Sequence, residues 1–420
     1  MIIAKRIIFV ALIGLTVLTA IPYGTIEPWW KAAFVCAVFA ICIFAIIETL
    51  VSRSKWIDGG SILLPMLALS ALAFVQAWNA ISADPFQTRF FALQMLALTA
   101  FLALLYRYAN TRRRVHVLIY TILGVAVASA LFGILRQTMQ HETGFVLPLL
   151  KQNQGFAQFV NKNHFAYLME MGFGLGLGIL VGPRVIGKSR LIHAALLVPM
   201  WVAFIFANSR GGMLAMMVQV FVAALLLLSY QSPVIARSSV LKVALIVLIL
   251  AGVLVSTVWV GGERLATNLE ATMTQFKAGA SPDRVSRSEI WGASLKMFAA
   301  HPILGVGLGG YGIGITAYHD ASGRMTPQEA HNDYVELLSS AGLIGLAIGA
   351  WFIVVIVRKV RQKLSEADEF ERCVRYGALL GLAGVAAHSI VDFGLHIMIN
   401  ALVCLALIML ATARFEPQIK

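Results

Sequence analysis

The sequence predicts an all-α, polytopic membrane protein of about twelve transmembrane helices with one long outward loop. Three observations predict it: a composition too apolar for water, apolar windows of bilayer length along the chain, and basic residues gathered in alternate loops. Of the 420 residues, 59% are hydrophobic and 13% are charged. A soluble domain of this length carries roughly twice that charged fraction. No run alternates in the manner of a membrane strand, so the spans are helices, which satisfy their own backbone hydrogen bonds.

The windows fall at 5–22, 32–49, 61–78, 90–106, 115–135, 165–181, 191–206, 212–230, 240–260, 337–357, 376–391 and 396–412. They divide the chain into nine spans over 1–260, a loop with amphipathic helices over 261–336, and three spans over 337–420. Lys5 and Arg6 before Ile7 to Ala20 read as a retained first helix rather than a cleaved signal. One alternate set of connections holds 21 of the 33 Lys and Arg residues. The positive-inside rule then predicts both termini in the cytoplasm. The net charge of +13 is explained by this asymmetry, and no aromatic-interleaved basic domain exists, so nucleic acid is excluded as a partner. The four cysteines, Cys36, Cys42, Cys373 and Cys404, lack disulfide or zinc spacing and read as packing residues.

Two outward segments are long, 136–164 and 261–336. The second predicts an amphipathic helix from Ser286 to Ala300, with Ile290, Trp291, Leu295 and Phe298 on one face and His301-Pro302 as its stop. Gly305-Val306-Gly307-Leu308-Gly309-Gly310 matches a dinucleotide-type glycine pattern, but it follows a helix and a proline rather than a strand. It reads instead as a turn that lets backbone approach a ligand. The chain shows no 6+6 repeat, which argues against a major-facilitator transporter.

The polar outward residues each carry two readings. His331, in His331-Asn332-Asp333-Tyr334, could accept a proton from a sugar hydroxyl, or the group could simply cap a helix at headgroup level. Arg210, in Ser209-Arg210-Gly211-Gly212, suits a phosphate or pyrophosphate headgroup, or it snorkels to lipid. Arg284 and Arg287 read as ion pairs with Asp283 and Glu289. His388, Asp392 and His396 recur every four residues and would share one helix face, as a hydrogen-bonded cluster or a metal site. Asn163 ends the shorter outward segment, and Glu170 lies two turns into the sixth span. It is a functional carboxylate by default, or half of a buried pair.

At these residues the chain resembles the O-antigen ligase and O-antigen polymerase superfamily of bacterial envelope proteins. The segments that carry the resemblance are Phe159 to Ala166, Ser209-Arg210-Gly211, Arg287-x-Glu289-Ile290-Trp291 through Gly307, and His331-Asn332-Asp333-Tyr334 with Gly342-Leu343-Ile344-Gly345. The resemblance implies a GT-C-like glycosyltransferase of the inner membrane. It would move a glycan from an undecaprenyl-pyrophosphate donor to lipid A-core or a growing glycan at the periplasmic face. It implies that Arg210 and Arg287 contact pyrophosphate and that His331 acts as base. Asn163, Asn332, Tyr334, Arg284, His388 and Asp392 are the expected substrate-binding residues. No metal or other cofactor is expected, which agrees with the lack of an Asp/Glu cluster in the sequence. The tail from His388 to His396 resembles exopolysaccharide members, so polymerase stands beside ligase. A transporter or flippase of lipid-linked sugars is the rival of another class, and the one-sided placement of the polar residues argues against it.

Overall fold

A computed structural model describes residues 2–21, 23–53, 60–79, 81–139, 147, 150, 155–181, 188–229, 285–319 and 326–416. The expected ninth span at 240–260 and Arg284 lie outside the described residues. The described chain is helical: α1 (Ile2–Ala20), α2 (Pro28–Ser52), α3 (Gly60–Trp78), α4 (Pro85–Tyr108), α5 (Arg112–Met139), α6 (Lys162–Val181), α7 (Lys188–Ala207), α8 (Arg210–Ser229), α9 (Arg287–Ala300), the single turn α10 (Tyr311–Gly314), α11 (Asp333–Ser365), α12 (Glu369–His388) and α13 (Met398–Thr412). Six of these helices, α1 to α5 and α11, are long and apolar enough to cross a membrane. Shorter apolar helices lie at Leu191–Ala207, Arg210–Leu226 and Met398–Thr412.

The chain forms two compact units. The first contains Met1–Leu118, Ala278–Glu366 and Ser389–Lys420. Here α4 begins with Asp84, whose carboxylate accepts from the Phe86 and Gln87 amides, with Pro85 at the first helical position. That pairing satisfies amides a helix start leaves open. Glu48 of α2 accepts from Arg107 of α4 at 3.2 Å and from the Tyr108 hydroxyl at 2.9 Å, both at one oxygen of the buried carboxylate. α13 is buried along nearly its whole length, which places it inside this unit.

α11 is broken. Gly342 sits at φ 62° and ψ −160°, a conformation open only to glycine at low cost. A Cβ there would lie 2.4 Å from the Ile303 carbonyl oxygen. The chain from Pro302 to Gly307 lies along this break and repairs it. Val306 and Gly307 donate to the carbonyls of Ser339 and Ser340, and Leu343 donates to the Pro302 carbonyl at 2.8 Å. Gln76 of α3 closes the join: its amide nitrogen donates to the Leu304 and Ser340 carbonyls, and its oxygen accepts from Leu308 N–H. Backbone that leaves a helix at membrane depth needs such partners. The glycine-rich stretch therefore brings backbone against protein: Gly305 against Ser340 and Gly307 against Ser82. The expectation of a turn approaching a ligand is corrected.

The second unit contains Ile119–Lys277 and Ala367–His388. Its centre is the α6–α12 contact. A Cβ on Gly174 would stand 2.4 Å from the Gly381 nitrogen, and one on Gly178 would stand 2.2 Å from Gly377 Cα. Small residues every four positions let the two backbones touch, as membrane helices commonly do.

Two further expectations are corrected. The buried face of α9 is Ile290, Ala293, Ser294 and Met297, while Leu295 is exposed. Ile290 and Trp291 join the cluster of Val306, Tyr311, Ile315 and Ala330 as expected, but Ala293 and Met297 complete that face in place of Leu295 and Phe298. Among the cysteines, Cys373 is buried but Cys36 is exposed on α2, so the latter is not a packing residue.

Candidate functional site: an imidazole, a guanidinium and a buried carboxylate

The predicted helix through His388, Asp392 and His396 does not form. α12 ends at His388, residues 389–393 turn, and His396 closes a short 3-10 helix at Gly394–His396. The three residues therefore go to different partners, and a shared face is ruled out.

Asp392, in the first unit, has no solvent-exposed side-chain surface. One carboxylate oxygen lies 3.6 Å from a guanidinium nitrogen of Arg287. The other lies 3.7 Å from His331 Nδ1 and accepts from the Phe393 amide at 2.9 Å. Arg287 and His331 keep 45% and 35% of their side chains exposed. Both approaches to Asp392 exceed hydrogen-bond length. Among the described residues His331 Nδ1 has no hydrogen-bond partner. The three groups are gathered but not locked, as catalytic groups often stand before substrate binds.

Local structure places each of them. Ser286 and Glu289 form a reciprocal capping box that starts α9 at Arg287. Glu289 is occupied there, so Arg287 pairs with Asp392 rather than with Glu289 as the sequence suggested. A cation in the first turn opposes the helix dipole, and Asp392 compensates it. His331 has φ 52°, a left-handed turn immediately before the helix start. Asn332 is the cap of α11, its oxygen accepting from the Tyr334 and Val335 amides at 3.0 and 3.1 Å. That oxygen is spent on the backbone, so Asn332 positions His331. Tyr334 is exposed. The Phe393 ring meets the His331 ring edge-on at 4.9 Å and the His396 ring at 5.6 Å.

Beyond Phe393, His396 Nδ1 lies 3.2 Å from Glu329. Its Nε2 lies 3.5 Å from Asp333 and 3.7 Å from Glu336. Burial alone would lower this imidazole, but Glu329, Glu336 and Asp333 raise it to about 10. Burial would raise the Glu329 carboxyl, but the His396 charge beside it holds it below the usual range. An acidic cluster is present after all, which corrects the expectation of none. Oxygens of Glu329 and Glu336 and a nitrogen of His396 lie within 4.8 Å of one another, close enough to hold a metal ion.

In the second unit, Arg210 is the first residue of α8. The Ser209 hydroxyl donates to Asn163 at 2.8 Å and accepts from the Gly212 amide. One hydrogen bond thus fixes Arg210 and the start of α6 together. Lys162 stands close enough for its pKa to be lowered, by burial first and by the Arg210 charge second. His388 was expected to bind substrate. It is instead wholly buried, 2.8 Å from Glu170 and stacked on Tyr167 at 4.1 Å. Gln219 donates to the Glu170 and Leu380 carbonyls beside it. This is the buried pair that was the other reading of Glu170.

Residues 195–350 match the family model described as O-antigen ligase. Over these residues the chain is similar to that family. The matched segment contains Arg210, Arg287 and His331, while Asp392 and His396 lie beyond it. No curated protein matches the chain. Glu329, Glu336 and His396 escaped the sequence reading as a group. The acidic residues flanking His331 at positions 329, 333 and 336 were the available signal.

Proposed function

We propose that this protein transfers a glycan from undecaprenyl pyrophosphate to an acceptor hydroxyl at the periplasmic face of the inner membrane, as an O-antigen ligase. The observation that carries the reading is the buried Asp392 carboxylate held between His331 and Arg287. About twelve spans on a GT-C-like plan, both termini cytoplasmic, would present the lipid carrier to these residues. The asymmetry of loop charge supports that orientation.

His331 removes the acceptor hydroxyl proton as the oxygen attacks the anomeric carbon. The bond between that carbon and the pyrophosphate oxygen breaks, and the carrier leaves as its pyrophosphate. Asp392, facing Nδ1, favours the tautomer with a free Nε2 and stabilises the imidazolium that results. Arg287 holds the charge that develops on the leaving pyrophosphate, the role that the resemblance also gives Arg210. Each arginine is the first residue of its helix, where open backbone amides add to the guanidinium charge. Fixed cations supply the charge stabilisation, so the step needs no metal.

The test is purified protein with a defined undecaprenyl-pyrophosphate glycan and candidate acceptors, with products weighed by mass spectrometry. A single added glycan on lipid A-core is the expected product. Lengthened glycan still on the carrier would make the chain a polymerase, the reading that the His388 to His396 resemblance favours. Movement of labelled lipid across a vesicle without a new glycosidic bond would make it a flippase.

A further inference from the structure

The loop at residues 326–332 and the turn at residues 389–397 are more than fifty residues apart in the chain, yet the first carries His331 and the second carries Asp392. One side chain of the turn reaches three acidic residues across the gap. His396 reaches from the turn to Glu329 in the loop and to Asp333 and Glu336 at the start of α11. We propose that His396 is a positioning residue for the transfer reaction, holding the His331 loop against the Asp392 turn by binding Glu329, Asp333 and Glu336 together. This inference rests on the reading of His331 as the base.

The surrounding contacts all lead to the same point. Glu336 accepts the Ala330 amide at 2.9 Å, and Ala330 is the residue before His331. The Ala330 carbonyl accepts from Trp291 Nε1 at 3.0 Å, which ties in α9 and so Arg287. The Asp333 amide donates to the Ser389 carbonyl at 2.9 Å, so backbone joins the two segments a second time. Phe393 fills the space between the His331 and His396 rings.

Three carboxyl groups face the imidazole, those of Glu329, Asp333 and Glu336, and the Asp392 charge adds to the field at Asp333. Opposite these stand Lys31 of α2, which acts on Glu329, and Arg287, which is engaged with Asp392. The remaining neighbours are neutral: the Tyr311 hydroxyl shares a hydrogen bond with Ser294, and the Cys404 thiol lies within reach of the Asp333 charge. Removing the proton from His396 would leave carboxylates facing one another in a buried site, and the loop would separate from the turn.

An imidazole raised from 6.5 to about 10 contributes stability that is complete below pH 6.5 and lost as pH rises through about 10.

The test compares wild type with His396→Gln, His396→Arg and Glu329→Gln as purified protein in detergent. Melting temperature is recorded from pH 6 to 10.5, and transfer is recorded at pH 7. The melting-temperature gap between wild type and His396→Gln is expected to shrink as pH approaches 10. His396→Arg, a cation at every pH, keeps its gap over His396→Gln there, and Glu329→Gln moves the wild-type limb to lower pH. At pH 7, His396→Gln is expected to lose about 10- to 100-fold in kcat with little change in donor KM, and His396→Arg to recover most of it. A gap that does not change with pH, or full kcat in folded His396→Gln, overturns the proposal. So does stoichiometric Mn2+ binding to wild type that His396→Gln abolishes. The melts need no substrate. If wild type transfers nothing while the pH limb appears as described, the functional reading has failed and the His396 link stands.

Discussion

His388 and His331 each face a carboxylate, and the two pairs differ in distance, burial and packing. His388 lies 2.8 Å from Glu170, and both side chains are fully buried. Tyr167 covers the ring and Gln219 fixes the backbone beside it. His331 stands 3.7 Å from Asp392 with a third of its side chain in the open. The first pair is closed by packing. The second is held near its partner and left free to meet another group. A histidine facing a carboxylate thus closes the packing of one unit and, in the function proposed above, carries the chemistry of the other, and the surroundings tell the two apart.

The largest separation of the two comes from removing one histidine's chemistry. His331→Ala is expected to lower kcat about 100- to 10,000-fold, the usual range for a lost general base, with an unchanged melting temperature. Glu170→Ala is expected to do the reverse. Breaking a buried pair from one side costs about 3–5 kcal/mol, visible as early thermal unfolding in detergent. Replacing both members, as Glu170→Leu with His388→Phe, should cost less than Glu170→Ala alone, since no buried charge is then stranded. Asp392→Asn comes next. It keeps shape but removes charge, and a kcat loss of about 10- to 100-fold is expected, smaller than for a fully hydrogen-bonded Asp–His pair. The smallest effect is expected from Gly342→Ala. It strains the break in α11 by about 1–3 kcal/mol and should lower melting temperature before it affects kcat.

The helices were legible because hydropathy at bilayer length needs no knowledge of tertiary structure. Eleven of the twelve apolar windows coincide with a described helix. The break at Gly342 was not legible, because its cause lies in Ile303 and Gln76, distant in sequence. The face of α9 was misread for a related reason: Leu295 outweighs Ala293 in hydrophobicity, but close packing against Met297 and Tyr311 rewards small residues. At the site, residue types pointed to Arg287, His331 and Asp392. Their grouping was not legible, because a regular helix through 388–396 would have sent Asp392 elsewhere. The turn after His388 decides that geometry.

In the proposed function the open pair performs chemistry and the closed pair does not. The direct measurement is the glycosyl-transfer rate per folded molecule in His331→Ala and in the double variant Glu170→Leu with His388→Phe, assayed side by side with wild type. The first is expected to lose transfer and the second to keep the wild-type rate. Transfer that survives in His331→Ala, or that disappears in the folded double variant, would contradict it.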